Sequence, residues 1–146
     1  MSLVLSVVSF AQSLTAFLLL GSKTWMYRKI PGLLLNAAGI GALLGFGFCT
    51  TVTGFIISAV FFGIYSGAFY FLLVFHSLVH PTKSARYLAG NETIVGATGI
   101  IAPVLGGALV TPESSGWAFI AGALLVFVAL ALQQWILFRH SKEIPL

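Results

Sequence analysis

Apolar positions along this chain gather into five long blocks, separated by short clusters of charged, proline and turn-forming residues. The blocks cover residues 2–20, 30–48, 52–79, 87–110 and 116–138. Each has the length needed to cross a hydrocarbon core of about 30 Å as an α-helix. In lipid every backbone polar group must be satisfied within the structure, which makes helix the expected state throughout. The predicted fold is all-α: a polytopic membrane bundle of about five transmembrane helices, forming a single domain over residues 1–146. The third block is longer than the bilayer requires, so its helix is expected to tilt or to project beyond the headgroups.

Composition removes the soluble alternative. With 59% hydrophobic and 7% charged residues, the chain has too little polar surface for a water-soluble domain. No stretch outside the blocks exceeds a short loop or the tail at 139–146, so no second domain is expected. The lipid bilayer is therefore the first partner.

Charge then sets an orientation. Lys23, Arg28 and Lys29 fall between the first two blocks, Lys83 and Arg86 between the third and fourth, and Arg139 and Lys142 after the fifth; "CTTVT" and "TPESSG" carry no basic residue. Basic loops stay on the cytoplasmic side, which predicts an outer N-terminus and a cytoplasmic C-terminus in a plasma or inner membrane. Trp25, Tyr27, Tyr87, Trp117 and Trp135 are expected near the interfaces. The net charge of +4 reads as topology signals and anchors for anionic headgroups, with no nucleic-acid partner. Met1 stands directly before an apolar run, but without a basic n-region or an A-x-A-like site before Gly21 no cleaved signal peptide is expected. Cys49, the one cysteine, reads as a small buried residue.

Signs of enzymatic chemistry are absent: no G-x-S-x-G, no Walker loop, no pair of close intramembrane carboxylates. No enzymatic activity and no cofactor are expected. His76 and His80 share a helical face, but with only His140 besides and no cysteine cluster they predict no metal site. Asn91-Glu92-Thr93 spells a glycosylation sequon that the topology puts on the cytoplasmic side, and Gln133 and Gln134 are expected to bind neighbouring helices.

Small residues organise the blocks. Helix two carries Gly39, Gly41, Gly45 and Gly47, with 41 and 45 spaced as GxxxG, and helix three has Gly63 and Gly67 at the same spacing. Lipid gives helices no hydrophobic reason to associate, so close backbone approach must supply the contacts. Such pairs serve either static packing or a rocking interface.

Helix four carries the most informative pattern. Gly96, Gly99, Ala102, Pro103, Gly106 and Gly107 spell GxxGxxAPxxGG. This resembles the eleventh membrane helix of the major facilitator superfamily of secondary transporters, where a GPxxGG-like element follows a cytoplasmic loop; Ala102 stands where glycine is common. Laid on that family, helices one to five resemble its eighth to twelfth, and the topology agrees. The loop "GSKTWMYRKIPG" resembles the family's basic loop motif through Gly21, Arg28 and Lys29, without its aspartate and central glycine. The resemblance implies a partial major-facilitator-like half: one complete three-helix repeat and part of an inverted one. Because alternating access needs two bundles, it also implies further transmembrane helices, from the same chain or another one, or a non-transport use of the fold.

Glu92 is the one acidic residue inside a predicted span. Burying a carboxylate at membrane depth is costly, so it pairs, takes a proton or faces water. His76, Arg86 and Asn91 lie at its level and make a candidate proton-sensitive gate with it; the other reading is a rim ion pair reached by snorkelling. The resemblance implies a central cavity lined by the first, third and fourth helices. Candidate path residues there are Gln12, Ser13, Thr15, Tyr65, Ser66, Tyr70 and Thr98, each of which also reads as helix packing or a hydroxyl returned to its own backbone. Gly41, Gly45, Gly63, Gly67, Gly99, Pro103, Gly106 and Gly107 are the candidate helix-packing positions. Two functions stay open: part of a major-facilitator-like secondary transporter moving a small neutral or amphipathic solute with proton coupling, or a non-transporting structural or assembly subunit of a larger membrane complex. A polar cavity among helices one, three and four would favour the first, and a continuous apolar packing face the second.

Overall fold

A computed structural model describes residues 2–21, 29–79, 82–110 and 116–140. These form five α-helices: α1 (Ser2–Leu19), α2 (Lys29–Phe48), α3 (Val52–Val79), α4 (Ser84–Leu109) and α5 (Trp117–His140), with no strand among the described residues. All five are long and apolar enough to cross a membrane. The protein is a multi-pass integral membrane protein with an all-helical bundle fold. Met1, the residues Lys23, Trp25, Tyr27 and Arg28 of the first loop, His80, the stretch 111–115 and Lys142 lie outside the described residues, as do the side chains of Lys29 and His140.

The helices begin and end close to the apolar blocks, and the differences have local causes. α4 starts at Ser84, three residues before Tyr87, where its block starts. Tyr87 N–H donates to Lys83 C=O at 3.0 Å, so the polar residues Ser84 and Arg86 already form helix that the hydrophobic block does not include. Pro31 sits in the first turn of α2, where a missing N–H leaves no helical bond unmade. α5 runs on to His140, and the Arg139 guanidinium lies 5.0 Å from the centre of the Trp135 ring one turn earlier, a cation–π pair at helical spacing.

The connection from α2 to α3 is short and defined. Cys49 N–H donates to Gly45 C=O at 2.9 Å, and Thr51 caps α3 by accepting from Gly54 N–H at 3.2 Å. Replacing Thr51 by alanine is expected to cost about 1 kcal/mol, as for other N-caps. The midpoint of denaturation in mixed micelles checks this, and an unchanged midpoint would remove the cap from the account.

α3 is the central element. α1 packs along it, α2 packs along both α3 and α5, and α4 rests on α3 with a lighter contact to α5. The buried positions are mostly small: Ala11, Ala42, Ala59, Ala68 and Ala123, with Ser58 and one large side chain, Phe46. Large apolar residues instead point outward along every helix, among them Phe10 and Phe17 of α1, Ile100 of α4 and Leu125 of α5. That inversion suits a lipid solvent, which accepts large apolar side chains and leaves the interior to groups that let backbones approach.

Candidate functional site

No glycine among the described residues takes a positive φ, so close approach, not turn geometry, explains their placement. At Gly63 a Cβ would lie 2.6 Å from Ala11 Cβ and 2.7 Å from Val8 O; at Gly67 it would lie 2.6 Å from Gln12 O. The backbone of α1 from Val8 to Gln12 therefore rests directly on these two glycines. α2 meets α3 through Gly39, where a Cβ would lie 2.6 Å from the Tyr65 ring, and through Gly45, which lies against the Ser58 hydroxyl. α2 meets α5 where Gly47 and Gly116 bring their backbones together beside Ile120. Gly41 has nothing within 4 Å of its Cβ position.

An aromatic cluster ties three helices together above these contacts. Phe46 of α2 has ring-centroid distances of 6.2 Å to Phe55 and 6.1 Å to Phe62 on α3, and 5.4 Å to Phe119 on α5. Tyr65 continues the cluster along α3, tilted against Phe62 and stacked on Phe69 at 5.7 Å. Neither Phe46 nor Ser58 stands out in the sequence. A phenylalanine held between Gly45 and Gly47, which bring α3 and α5 close on either side of it, was the available signal.

α4 stands apart from this network. It has no buried residue, and Gly96, Gly99, Gly106 and Gly107 have nothing within 4 Å of their Cβ positions. Pro103 lies exposed on the same helix. The motif that most distinguishes the sequence is thus the least covered part of the described structure.

The candidate gate residues lie at the α3–α4 end of the bundle. His76 is exposed near the end of α3, its Nδ1 at 2.9 Å from Leu72 O. Arg86 and Glu92 are exposed on α4, and no ion pair at Glu92 is formed among the described residues. From Ser84 to Glu92 is roughly 12 Å of helix. The Asn91 amide nitrogen is buried without a hydrogen-bond partner among the described residues, a state that costs about 1–3 kcal/mol.

The path candidates are spread over separate contacts. Thr15 donates its hydroxyl to Ala11 C=O at 2.7 Å, Ser66 to Gly63 C=O at 3.3 Å, and Thr98 to Ile94 C=O at 2.9 Å. Gln12 lies over Gly67 through its backbone, Tyr65 covers Gly39, and Ser13 and Tyr70 are exposed. An apolar groove of about 500 Å³ runs between α1 and α3, lined by Leu3, Phe10, Leu14 and Ile64 with Ser6 and Thr15 among them. A second groove, of about 380 Å³, lies between α2 and α3 against Ala38, Gly41, Ser58 and Phe61. Thr15 is the one path candidate lining either groove, and Thr98 on α4 lies apart from both. Among the described residues no group of three His, Cys, Asp or Glu side chains comes together as metal ligands would.

Comparison with known proteins adds no relative: no protein-family model matches the chain, and neither a curated protein nor a solved structure matches it at a significant level.

Proposed function

We propose that this chain is one part of a larger transmembrane helix bundle, and that the completed bundle is a secondary transporter of the major facilitator type. The observation that carries the first step is α4, a span with no buried residue and a row of open glycines. A helix whose small residues meet nothing has given up dispersion contacts that another helix would restore. The second step rests on the likeness of that row, GxxGxxAPxxGG, to the family's eleventh helix, together with the count of five spans and the basic loops. The N-terminus then lies outside and the C-terminus in the cytoplasm, and α1, α3 and α4 face the solute path once the remaining helices are in place. Scarce fixed charge along those helices fits a small neutral or amphipathic solute, with Glu92 as the coupling candidate.

A second reading is a structural subunit that uses the same open faces to dock in a complex of another kind. The hydroxyls of Thr15, Ser66 and Thr98 favour it, because each is spent on its own helix and not held toward a common space.

Native mass spectrometry of the particle extracted gently from its own membrane tests both. The expected result is a mass above the 15.5 kDa of this chain, with peptides of further membrane helices, and solute uptake that follows the particle into vesicles. A chain found alone would overturn the proposal, and a fixed place in a complex without uptake would select the second reading. If Glu92 couples protons, Glu92→Gln is expected to flatten the pH dependence of uptake; an unchanged profile removes that role.

A further inference from the structure

We infer that the groove between α2 and α3 is a binding site for a neutral, single-chain amphiphile drawn from the bilayer, with the Ser58 hydroxyl as the partner of its one polar group. Two helices of this chain build the site, so it goes beyond the transport reading and does not depend on further helices.

Ser58 is the one buried polar side chain among the described residues, at 5% exposure. Thr15, Ser66 and Ser77 each donate to a carbonyl three or four residues earlier on their own helix, the common resort of hydroxyls in membrane helices. Ser58 does not: its hydroxyl makes no hydrogen bond among the described residues. The oxygen rests against Gly45 and, unlike the sealed Asn91 amide nitrogen, keeps an opening to the groove that the residue lines.

The shape and chemistry of this recess decide its occupant. Its volume of about 380 Å³ falls in the range of small-molecule sites. Ala37, Ala38 and Gly41 of α2 and Ile57 and Phe61 of α3 line it with Ser58. No charged residue is among them, so an ionic head would go unpaired. Water fits poorly, since a buried water takes about three hydrogen-bond partners and the lining offers one polar side chain. An acyl tail fills the apolar part and leaves the hydroxyl unmet. A further helix would meet Ile57 and Phe61 first, which stand 54% and 50% exposed, and would bridge the recess above the hydroxyl. A slender chain ending in a hydroxyl satisfies both parts.

Position agrees with that choice. From Val52 to Ser58 is roughly 9 Å of helix. Gly45 lies level with Ser58 and Gly39 with Tyr65, so the recess runs from Ser58 toward the bilayer centre. A molecule seated there keeps its polar group near the surface and its chain inward, as an amphiphile already lies in a leaflet.

Photolabelling with a diazirine-bearing octanol, mapped residue by residue by mass spectrometry on the full chain in its native membrane, tests this. The matching diazirine-bearing octane, without the hydroxyl, is the control. The expected result is saturable labelling of Ala37, Ala38 and Phe61 by the octanol probe, displaced by decanol and not by decane. Phe17 and Leu125, exposed elsewhere, are labelled alike by both probes. Ser58→Ala is expected to lower the affinity for the octanol probe about two- to tenfold, the worth of one hydrogen bond, and to leave the octane probe unchanged. Gly41→Leu is expected to fill the recess and abolish its labelling. A Cβ at Gly41 meets nothing within 4 Å, so the bundle stays folded, which the denaturation midpoint checks; Ser58→Ala decides by itself if it does not. Labelling that does not saturate, that both probes share equally, or that is unchanged in Ser58→Ala overturns the inference. Protection of the recess from both probes in a particle that native mass shows to contain further helices means that a helix covers it, and overturns the inference while leaving the larger bundle intact.

Discussion

Replacing Gly67 by leucine is expected to detach α1 from α3 and to destabilise the bundle strongly. The reason is where the neighbours' atoms belong. A Cβ at Gly67 would lie 2.6 Å from the carbonyl oxygen and 3.1 Å from the Cα of Gln12. These are backbone atoms of a helix, which cannot swing aside as a side chain can. Overpacking a well-packed site costs about 1–3 kcal/mol, and here the strain is relieved only by moving all of α1, whose extended packing is on α3 alone. Gly67→Ala should show a smaller loss of the same kind, and Gly63→Ala one like it because Ala11 Cβ and Val8 O lie at 2.6 and 2.7 Å. Gly41→Ala is the matched control: its Cβ meets nothing within 4 Å, and alanine is the better helix former by about 1 kcal/mol. Denaturation midpoints of the four proteins in mixed micelles decide the matter. Equal midpoints for Gly67→Leu and Gly41→Ala would mean that α1 is not held by this contact.

The same comparison shows what the sequence could reveal. Both GxxxG pairs have identical spacing, yet in α3 both glycines carry α1, while in α2 Gly45 meets Ser58 and Gly41 faces open space. Spacing says that two glycines share a helix face; it does not say what stands opposite, because that depends on tertiary placement. The spans were legible for a stronger reason. A bilayer sets the length and polarity of every crossing segment, and the observed helices depart from the apolar blocks chiefly where polar residues such as Ser84 and Arg86 extend a helix beyond its hydrophobic part. The candidate site was legible only as a set of residue types. Thr98 and Thr15 are both polar residues in apolar spans, and the structure places them on helices that meet through α3, each bonded to its own preceding turn. Glu92 and the glycines of α4 were conspicuous as composition, but that the helix leaves those glycines uncovered emerges only from the structure.

Phe46→Ala should loosen α5 more than any other helix. Phe46 is 9% exposed, and its ring meets Phe55 and Phe62 of α3 and Phe119 of α5 at centroid distances of 6.2, 6.1 and 5.4 Å. In a soluble core the change would cost about 3–5 kcal/mol. Part of that cost is transfer from water, which is small here because acyl chains are as apolar as the cavity left behind. What remains is lost dispersion and three aromatic pairs at about 0.5–1.5 kcal/mol each. The expected loss is therefore about 2–4 kcal/mol. It should fall on α5 because that helix reaches the bundle mainly through α2 and only lightly through α4. Phe119→Ala removes one of the three pairs from a partly exposed ring and should cost less, and the double variant should fall short of the sum because the two share a contact. Protease nicking of α5 in micelles, followed alongside the denaturation midpoint, separates this outcome from general destabilisation. If α5 stays protected in Phe46→Ala, the backbone approach of Gly47 to Gly116 is what holds it, and a bulky side chain at Gly116 should release it instead.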